Sequence, residues 1–315
     1  MSLFFRKEGI LTTVQDLGRN GFRRFGINPN GVMDKTAARL INVLLGNFEN
    51  EAVLETHFPA PEILFRENTV FALGGAEFGA KLNGEKIESW KPFFAANGSV
   101  LKFAEKVSGN RAYLSVKGGF KLEKWLGSAS TNLAAEIGGF SGRKLRRNDE
   151  LFFNEIDKKI LTNCKVSNSL IPAYSGFPSI RVVAGAEFEL LTAFAEQSFL
   201  HQNFTVSQNS NRMGFRLGGE PLFLLDKKEL VSSAVNFGTI QLLPDGQLII
   251  LMADHQTSGG YPRIAHIIEA DLPQLAQLGA NDKLAFHLIS LEEAEDISLK
   301  FEKDLNFLKI AIKLR

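Results

Sequence analysis

The stretch Gly238-Thr-Ile-Gln-Leu-Leu-Pro-Asp-Gly-Gln-Leu-Ile-Ile-Leu-Met252 sets two short apolar runs, Gly238 to Leu243 and Gln247 to Met252, one directly after the other. Runs of this length, rich in β-branched residues and bounded by turn formers, read as strands. The same texture recurs outward along the chain, in Thr69 to Leu73, Ser99 to Phe103, Arg111 to Val116 and Ile180 to Val183. Many short strands at close spacing predict a mainly β fold, a sandwich or barrel. Leu82-Asn83-Gly84-Glu85 adds a hairpin, because Asn-Gly readily takes positive φ at both central positions.

Helices are minor components of this reading. Asp34 is placed to cap a helix whose apolar face is Ala37, Leu40, Ile41, Leu44 and Leu45, with Gly46 as its stop. Asp271-Leu-Pro-Gln274 resembles a capping box that opens a short helix ending near Gly279. Ser290-Leu-Glu-Glu293 resembles another, starting a charged C-terminal helix through about Leu305.

The chain has 315 residues, enough for two domains or one large one. Asn154 to Asn168 is polar and turn-rich, within a glycine-free stretch, and marks the expected boundary. The expected organisation is an N-terminal β domain at 1–165, a C-terminal β domain at 166–290 and a helical tail at 291–315. Gly-Ala-Glu-Phe occurs at 75–78 and again at 185–188, which fits either a duplication or a chance match.

Lys and Arg number 36 against 35 Asp and Glu, a formal net charge of +1. That balance carries no basic excess pointing to nucleic acid. The single cysteine, Cys164, excludes an internal disulfide and a Cys-rich metal site, and fits a cytoplasmic location. The N-terminus is charged too early for a signal peptide, and the run Leu248 to Ala253 is far shorter than the ~20 residues of a membrane span. No P-loop, His-Glu-x-x-His, Cys-x-x-Cys or Gly-x-Ser-x-Gly is present. Histidines 57, 201, 255, 266 and 287 show no ligand spacing, so no metal is expected.

Four polar, glycine-rich clusters remain. Asp254-His-Gln-Thr-Ser-Gly-Gly-Tyr-Pro262 follows a buried-looking strand and gathers a carboxylate, an amide, a hydroxyl and paired glycines. It reads equally as a site for an anion or amide and as a hydrogen-bonded strand exit. Ser210-Asn-Arg-Met-Gly-Phe-Arg-Leu-Gly-Gly219 offers Asn211, Arg212 and Arg216, either as an anion clamp or as surface arginines at a tight turn. Thr13-Val-Gln-Asp-Leu-Gly-Arg-Asn-Gly21 places Gln15, Asp16 and Arg19 in one loop, where the Asp and Arg can also brace a turn. Gly138-Gly-Phe-Ser-Gly-Arg143 begins the one basic run, Arg143, Lys144, Arg146 and Arg147, which reads as a solvated face.

In this order, with Gly31-x-Met-Asp34, Leu44-x-Gly-Asn47, Leu54-Glu55, Tyr113-Leu-x-Val-x-Gly-Gly119 and Gly238-Thr-Ile-Gln241, the clusters resemble the biotin-dependent carboxyltransferase family. That family includes the 5-oxoprolinase C subunit, the KipI antagonist and allophanate hydrolase subunit 2. The resemblance runs from about residue 5 to 290. It implies two cyclophilin-like β-barrel domains with a few short helices. It implies work within a heteromeric complex that opens 5-oxo-L-proline to L-glutamate with ATP, beside a KipI-like B subunit and a LamB/YcsF-like A subunit. Alternatives within the resemblance are the carboxyltransferase of a urea-type carboxylase and a regulatory KipI antagonist. No Met-Lys attachment dipeptide occurs, so no covalent biotin is expected on this chain.

Such chemistries activate an amide and stabilise charge developing on its oxygen or on a transferred group. The resemblance therefore implies that Asp254 orients or deprotonates the amide N–H, Gln256 and Thr257 hold the carbonyl, and Arg212 binds an anion. Asn211, Gly214, Gln241, Gly259, Gly260, Tyr261, Gln15, Asp16 and Arg19 are the implied substrate-binding residues. The sequence departs from its relatives at Ser128-Ala-Ser-Thr-Asn132, where Ser-Arg-Ser-Thr-Asp is common. It departs also at Ser233, where an acidic residue is common, and at Ala60-Pro61, where Gly-Pro is usual.

Overall fold

The computed structural model of the chain describes residues 1–154, 164–226 and 230–314. The core of the expected boundary segment, 155–163, therefore lies outside the described residues. Two units form, one from Met1–Arg19, Asn30–Ala173 and Glu302–Arg315, the other from Asn20–Pro29 and Tyr174–Phe301.

The first unit holds β1 (Ser2–Lys7), β2 (Thr12–Gln15), α1 (Lys35–Leu44), β3 (Val53–Thr56), β4 (Glu62–Phe65), β5 (Thr69–Glu77) and β6 (Ala80–Leu82). It continues with β7 (Glu85–Lys86), β8 (Pro92–Ala95), β9 (Val100–Phe103), β10 (Ser108–Val116) and β11 (Glu150–Phe152). One sheet runs β11-β1-β4-β9-β6-β7, the other β2-β3-β10-β5-β8. Their inner faces share a core that includes Leu3, Phe5, Ile63, Phe65, Phe71, Leu73, Leu101 and Leu114. Asp34 caps α1 by accepting from Ala37 N at 2.8 Å, and Gly46 follows the helix at φ 73°. At the β6–β7 hairpin Leu82 pairs with Glu85, with Asn83 and Gly84 at φ 54° and 91°.

In the second unit lie β12 (Ser179–Ala184), α2 (Ala193–His201), β13 (Phe204–Val206), β14 (Gly214–Gly218), β15 (Ser233–Ala234) and β16 (Thr239–Leu242). After these come β17 (Leu248–Leu251), β18 (Ser258–Gly259), β19 (Arg263–Ile267), α3 (Leu272–Ala276) and β20 (Lys283–Leu288). The last helix, α4 (Leu291–Lys313), starts here, and its residues from Glu302 onward belong to the first unit. Seven strands close a barrel in the order β12-β19-β16-β17-β14-β13-β20. Closure is parallel: Ser179 pairs with Ala285 and Val182 with Leu288, whereas the other barrel pairs are antiparallel. Alternate residues fill the interior, among them Ile180, Val182, Phe215, Leu217, Ile240, Ile250 and Leu284. Phe199 of α2 stacks on Phe286 at 4.8 Å between ring centroids. The fold is mainly β and fits the cyclophilin-like expectation.

Two local expectations are corrected. Asp271 makes no side-chain cap for α3. Its fully buried carboxylate instead accepts Arg181 N at 2.6 Å, Nη2 at 2.6 Å and Nε at 3.0 Å. A two-point guanidinium contact outcompetes a single backbone N–H for the same oxygens. The helix opened by Ser290 and Glu293 runs eight residues past Leu305, to Lys313. Its capping box forms as read, Ser290 N to Glu293 Oε2 at 2.8 Å and Glu293 N to Ser290 Oγ at 3.1 Å. Leu305 and Ile312, seven apart, are buried on one face of the helix, Ile312 beside Val43 and Gly46 at the end of α1, and Arg39 grips Glu302 at 2.6 and 2.8 Å. The two Gly-Ala-Glu-Phe copies differ in setting: 75–77 closes the long strand β5, while 185–188 leaves β12 and enters a 3-10 turn at Phe188–Leu190. Among the described residues no helix is long and apolar enough to cross a membrane, and no group of three or more His, Cys, Asp or Glu is placed to hold a metal.

Candidate functional site

In the second unit the chain leaves β17 and runs directly into Asp254 to Pro262. The turn at Asn211 to Gly214 lies alongside, because β14 pairs with β17 and the pairing continues: Met252 N donates to Met213 O at 3.0 Å and Asp254 N to Arg212 O at 2.8 Å. This register brings Arg212 onto Asp254. Arg212 Nε meets Asp254 Oδ2 at 2.9 Å and Nη2 meets Oδ1 at 3.0 Å, a two-point ion pair. Both groups are thus turned toward each other. Asn211 serves its own turn, accepting from Met213 N at 2.8 Å. Gly214 is a packing position: a Cβ there would lie 2.7 Å from Ile249 Cδ1.

Farther along the loop, Gln256 is exposed, Thr257 half-buried, and Val235 N donates to Thr257 O at 3.3 Å. Ser258-Gly259 then pairs as β18 with Ser233-Ala234, so Ser233 stands directly opposite Gly259. Behind Gly259 lies the side chain of Gln241 from β16, fully buried, donating through Nε2 to Tyr261 O at 3.3 Å. A Cβ on Gly259 would come within 2.8 Å of Gln241 Nε2 and 3.5 Å of Gln256 Nε2. Both amides thus converge on the bare face of Gly259. Gly260 and the half-exposed Tyr261 line a cavity of about 500 Å³ whose other walls include Leu222, Phe223, Leu242 and Pro262. Asn28, which no local sequence signal marks, donates to Asp254 O at 3.1 Å.

The remaining predicted residues form a separate constellation within the first unit. Asp16 is a buried carboxylate with four donors: Gly18 N at 2.8 Å, Ser128 Oγ at 2.7 Å, Ser130 Oγ at 2.5 Å and Ala129 N at 2.7 Å. Arg19, also buried, donates to Asn30 Oδ1 at 2.6 Å and Ser130 O at 2.5 Å and lies over Trp125 at 5.0 Å. Gln15 donates to Thr13 Oγ1 at 3.1 Å and Thr131 O at 3.2 Å. Gly138 and Gly139, at φ 74° and 53°, let the backbone close over this loop; a Cβ at Gly139 would collide with Thr131 Oγ1. The three residues brace 128–131. Two of the departures lie here too: Ala129 contributes only its N–H to Asp16, and Asn132 accepts from Ala134 N and Ala135 N, both at 3.1 Å.

Other motif residues hold the first unit together. Tyr113 donates to Glu55 Oε2 at 2.8 Å and accepts from Asp34 N at 2.9 Å, while Met33 N reaches the same Glu55 oxygen at 2.8 Å. Burial, then the Glu55 and Asp34 charges, push the Tyr113 phenol well above its usual range. Asn47 ties the end of α1 to β10, donating to Val116 O at 2.8 Å and accepting from Gly118 N at 2.9 Å.

These motifs on a mainly β frame define the class: the chain belongs to the family described as carboxyltransferase domain, subdomain A and B, which it matches over residues 25–288. It is 38% identical over 290 residues to the 5-oxoprolinase C subunit of Haemophilus influenzae, covering 92% of both chains. With the Escherichia coli protein of that name it shares 37% identity over 290 residues, 91% of each. Among solved structures, the urea amidolyase of K. lactis superimposes with a TM-score of 0.91 at 28% identity, over 98% of this chain and 20% of that one.

Proposed function

We propose that this chain is the C subunit of a heteromeric 5-oxoprolinase, which opens 5-oxo-L-proline to L-glutamate with ATP beside a KipI-like B subunit and a LamB/YcsF-like A subunit, and is inactive alone. One observation carries the reading: the match to the Haemophilus influenzae 5-oxoprolinase protein extends over 92% of both chains, so the two correspond along nearly their whole length. The likeness to urea amidolyase, which covers 20% of that protein, favours a second reading as the carboxyltransferase part of a urea-type carboxylase.

In the leading reading the loop after β17 receives the lactam. Arg212 and Asp254 fix its start, Gln256 and Thr257 present an amide and a hydroxyl to the carbonyl, and the backbone N–H groups of Gly259 and Gly260 face charge developing on its oxygen. The described residues suit a lactam better than a triphosphate. Arg212 is engaged by Asp254, and Arg19 by Asn30 and Ser130. ATP is proposed to bind in a site shared with a partner subunit.

Co-expression with the genes of the other subunits, followed by assay of glutamate release from 5-oxo-L-proline with and without ATP, tests the reading. Expected is ATP-dependent release by the complex and none by this chain alone. Consumption of carboxybiotin with urea, without glutamate release, would establish the second reading instead.

A further inference from the structure

Residues Asn20–Pro29 come from early in the chain yet belong to the second unit, while the residues on either side of them belong to the first. Gly21 and Gly26, at φ 90° and 76°, bracket a 3-10 turn at Arg23–Phe25. A Cβ at either glycine would meet nothing within 4 Å, so glycine is needed there for the left-handed backbone and not for space. The turn leaves Phe25 exposed and Arg23 half-buried.

Two side chains of this segment reach the surroundings of the loop after β17. Asn28 Nδ2 donates to Asp254 O at 3.1 Å. Arg23 Nη1 donates to Asn236 Oδ1 and lies 3.5 Å from Val235 O, and Val235 N in turn donates to Thr257 O at 3.3 Å. The segment therefore holds Asp254 directly and Thr257 through one intervening residue, the two ends of Asp254-His-Gln-Thr257. Such ties matter here because the β15–β18 pair that follows Thr257 shares no ladder with the seven-stranded barrel. Two strands alone are marginal.

Within these four residues the backbone is committed and two side chains are not. Asp254 N donates to Arg212 O at 2.8 Å, His255 N donates to Met252 O at 3.1 Å, and the fully buried His255 ring meets Gln256 O through Nδ1. The side chains of Gln256 and Thr257 make no hydrogen bond among the described residues. A pinned backbone that carries two uncommitted polar side chains is pre-organised toward a ligand, since its ordering cost is met on folding and not on binding.

We propose that Asn28 and Arg23 are positioning residues of the candidate site, holding Asp254 to Thr257 so that Gln256 and Thr257 meet the substrate's amide in one fixed geometry. The role rests on the lactam reading above and deepens it, by adding residues distant in sequence that act through the loop.

Hydrogen exchange and glutamate release, measured on the same preparations of the reconstituted complex, test the role. In Asn28→Ala, exchange at the amides of Val235, Asp254 and His255 is expected to quicken about five-fold or more, with β14, β16 and β17 unchanged. Its kcat for 5-oxo-L-proline is expected to fall about ten-fold or more while KM moves less than about three-fold, because a displaced loop still binds the lactam but no longer aligns it. Asn28→Gln, which keeps the amide donor, should recover part of that rate. Arg23→Ala should show the same pattern as Asn28→Ala and is the second variant if the first fails to fold; Arg23→Lys, which keeps the charge, should lie between it and wild type. A lower melting temperature with wild-type kcat, or unchanged exchange in both alanine variants, would overturn the positioning role and leave the lactam reading standing. No glutamate release by the wild-type complex would remove that reading, and the role with it.

Discussion

Arg212 and Asp254 lie in parallel, Nε to Oδ2 at 2.9 Å and Nη2 to Oδ1 at 3.0 Å, with side chains only 9% and 15% exposed. The pair joins two loops that the β14–β17 pairing has already brought together. Arg212→Ala would leave a largely buried carboxylate without its counter-charge, at a cost of roughly 3 kcal/mol. Arg212→Lys restores the charge but not the planar fork, and recovers only part of that loss. Urea unfolding of the isolated chain gives both values, and a variant within about 0.5 kcal/mol of wild type would show that the pair does not hold the loop.

Asp16 is the counterpart in the first unit, a carboxylate surrounded by four donors from residues 18, 128 and 130 and from the backbone of 129. Asp16→Asn would turn an NH₂ group toward at least one backbone N–H, either Ala129 or Gly18. A loss of about 2–3 kcal/mol is expected, the cost of a broken charge-assisted bond and an opposed donor. Thermal unfolding measures it. Because Asp16 braces the loop, the activity of the complex per folded molecule should change less than its stability.

Much of the fold was legible because its signals are local. Asp34 reaches Ala37 N three residues away, Asn83-Gly84 needs only its own φ angles, and Ser290 and Glu293 close on each other. Where reading failed, a distant group had intervened: Arg181 takes Asp271, ninety positions later, away from its helix. The parallel closure of β12 on β20 is likewise a pairing over about a hundred residues that no periodicity encodes. The candidate site was legible as composition, since its loop stands out by its residues. Its geometry was not: the clusters split between two units, and the contacts of Arg212, Gln241 and Asn28 depend on strand register and on a segment from the N-terminal part of the chain.

Tyr113 shows why a motif residue need not touch substrate. Its hydroxyl joins Glu55 on β3 to the backbone of Asp34, so one oxygen fixes the start of α1 against the sheet. Tyr113→Phe removes a donor from a buried carboxylate and the acceptor for the Asp34 N–H, and should cost about 2–3 kcal/mol. Chemical unfolding checks the value. Tyrosine titration in the same protein should show one phenol, absent from the variant, that resists ionisation above the usual range, as burial dictates.

Acid sensitivity of the second unit should come from Glu187 and His266. Arg263 donates to Glu187 at 2.7 Å from its backbone N–H, 2.7 Å from Nη2 and 3.0 Å from Nε, and holds this carboxyl below the ordinary value. His266, which meets Thr239 Oγ1 at 3.2 Å, is also held low, by burial first and then by the Arg263 charge. Both groups bind protons more weakly folded than unfolded. The stability each contributes is therefore complete above its unfolded pKa and is lost as pH falls through the folded one. His266 should begin to weaken the fold below about pH 6.5 and Glu187 only below about pH 4.5. Urea midpoints measured from pH 8 to pH 4 should fall in that order. His266→Gln should flatten the upper part of the curve and Glu187→Gln the lower part; an unchanged upper slope in His266→Gln would show that another group is titrating there.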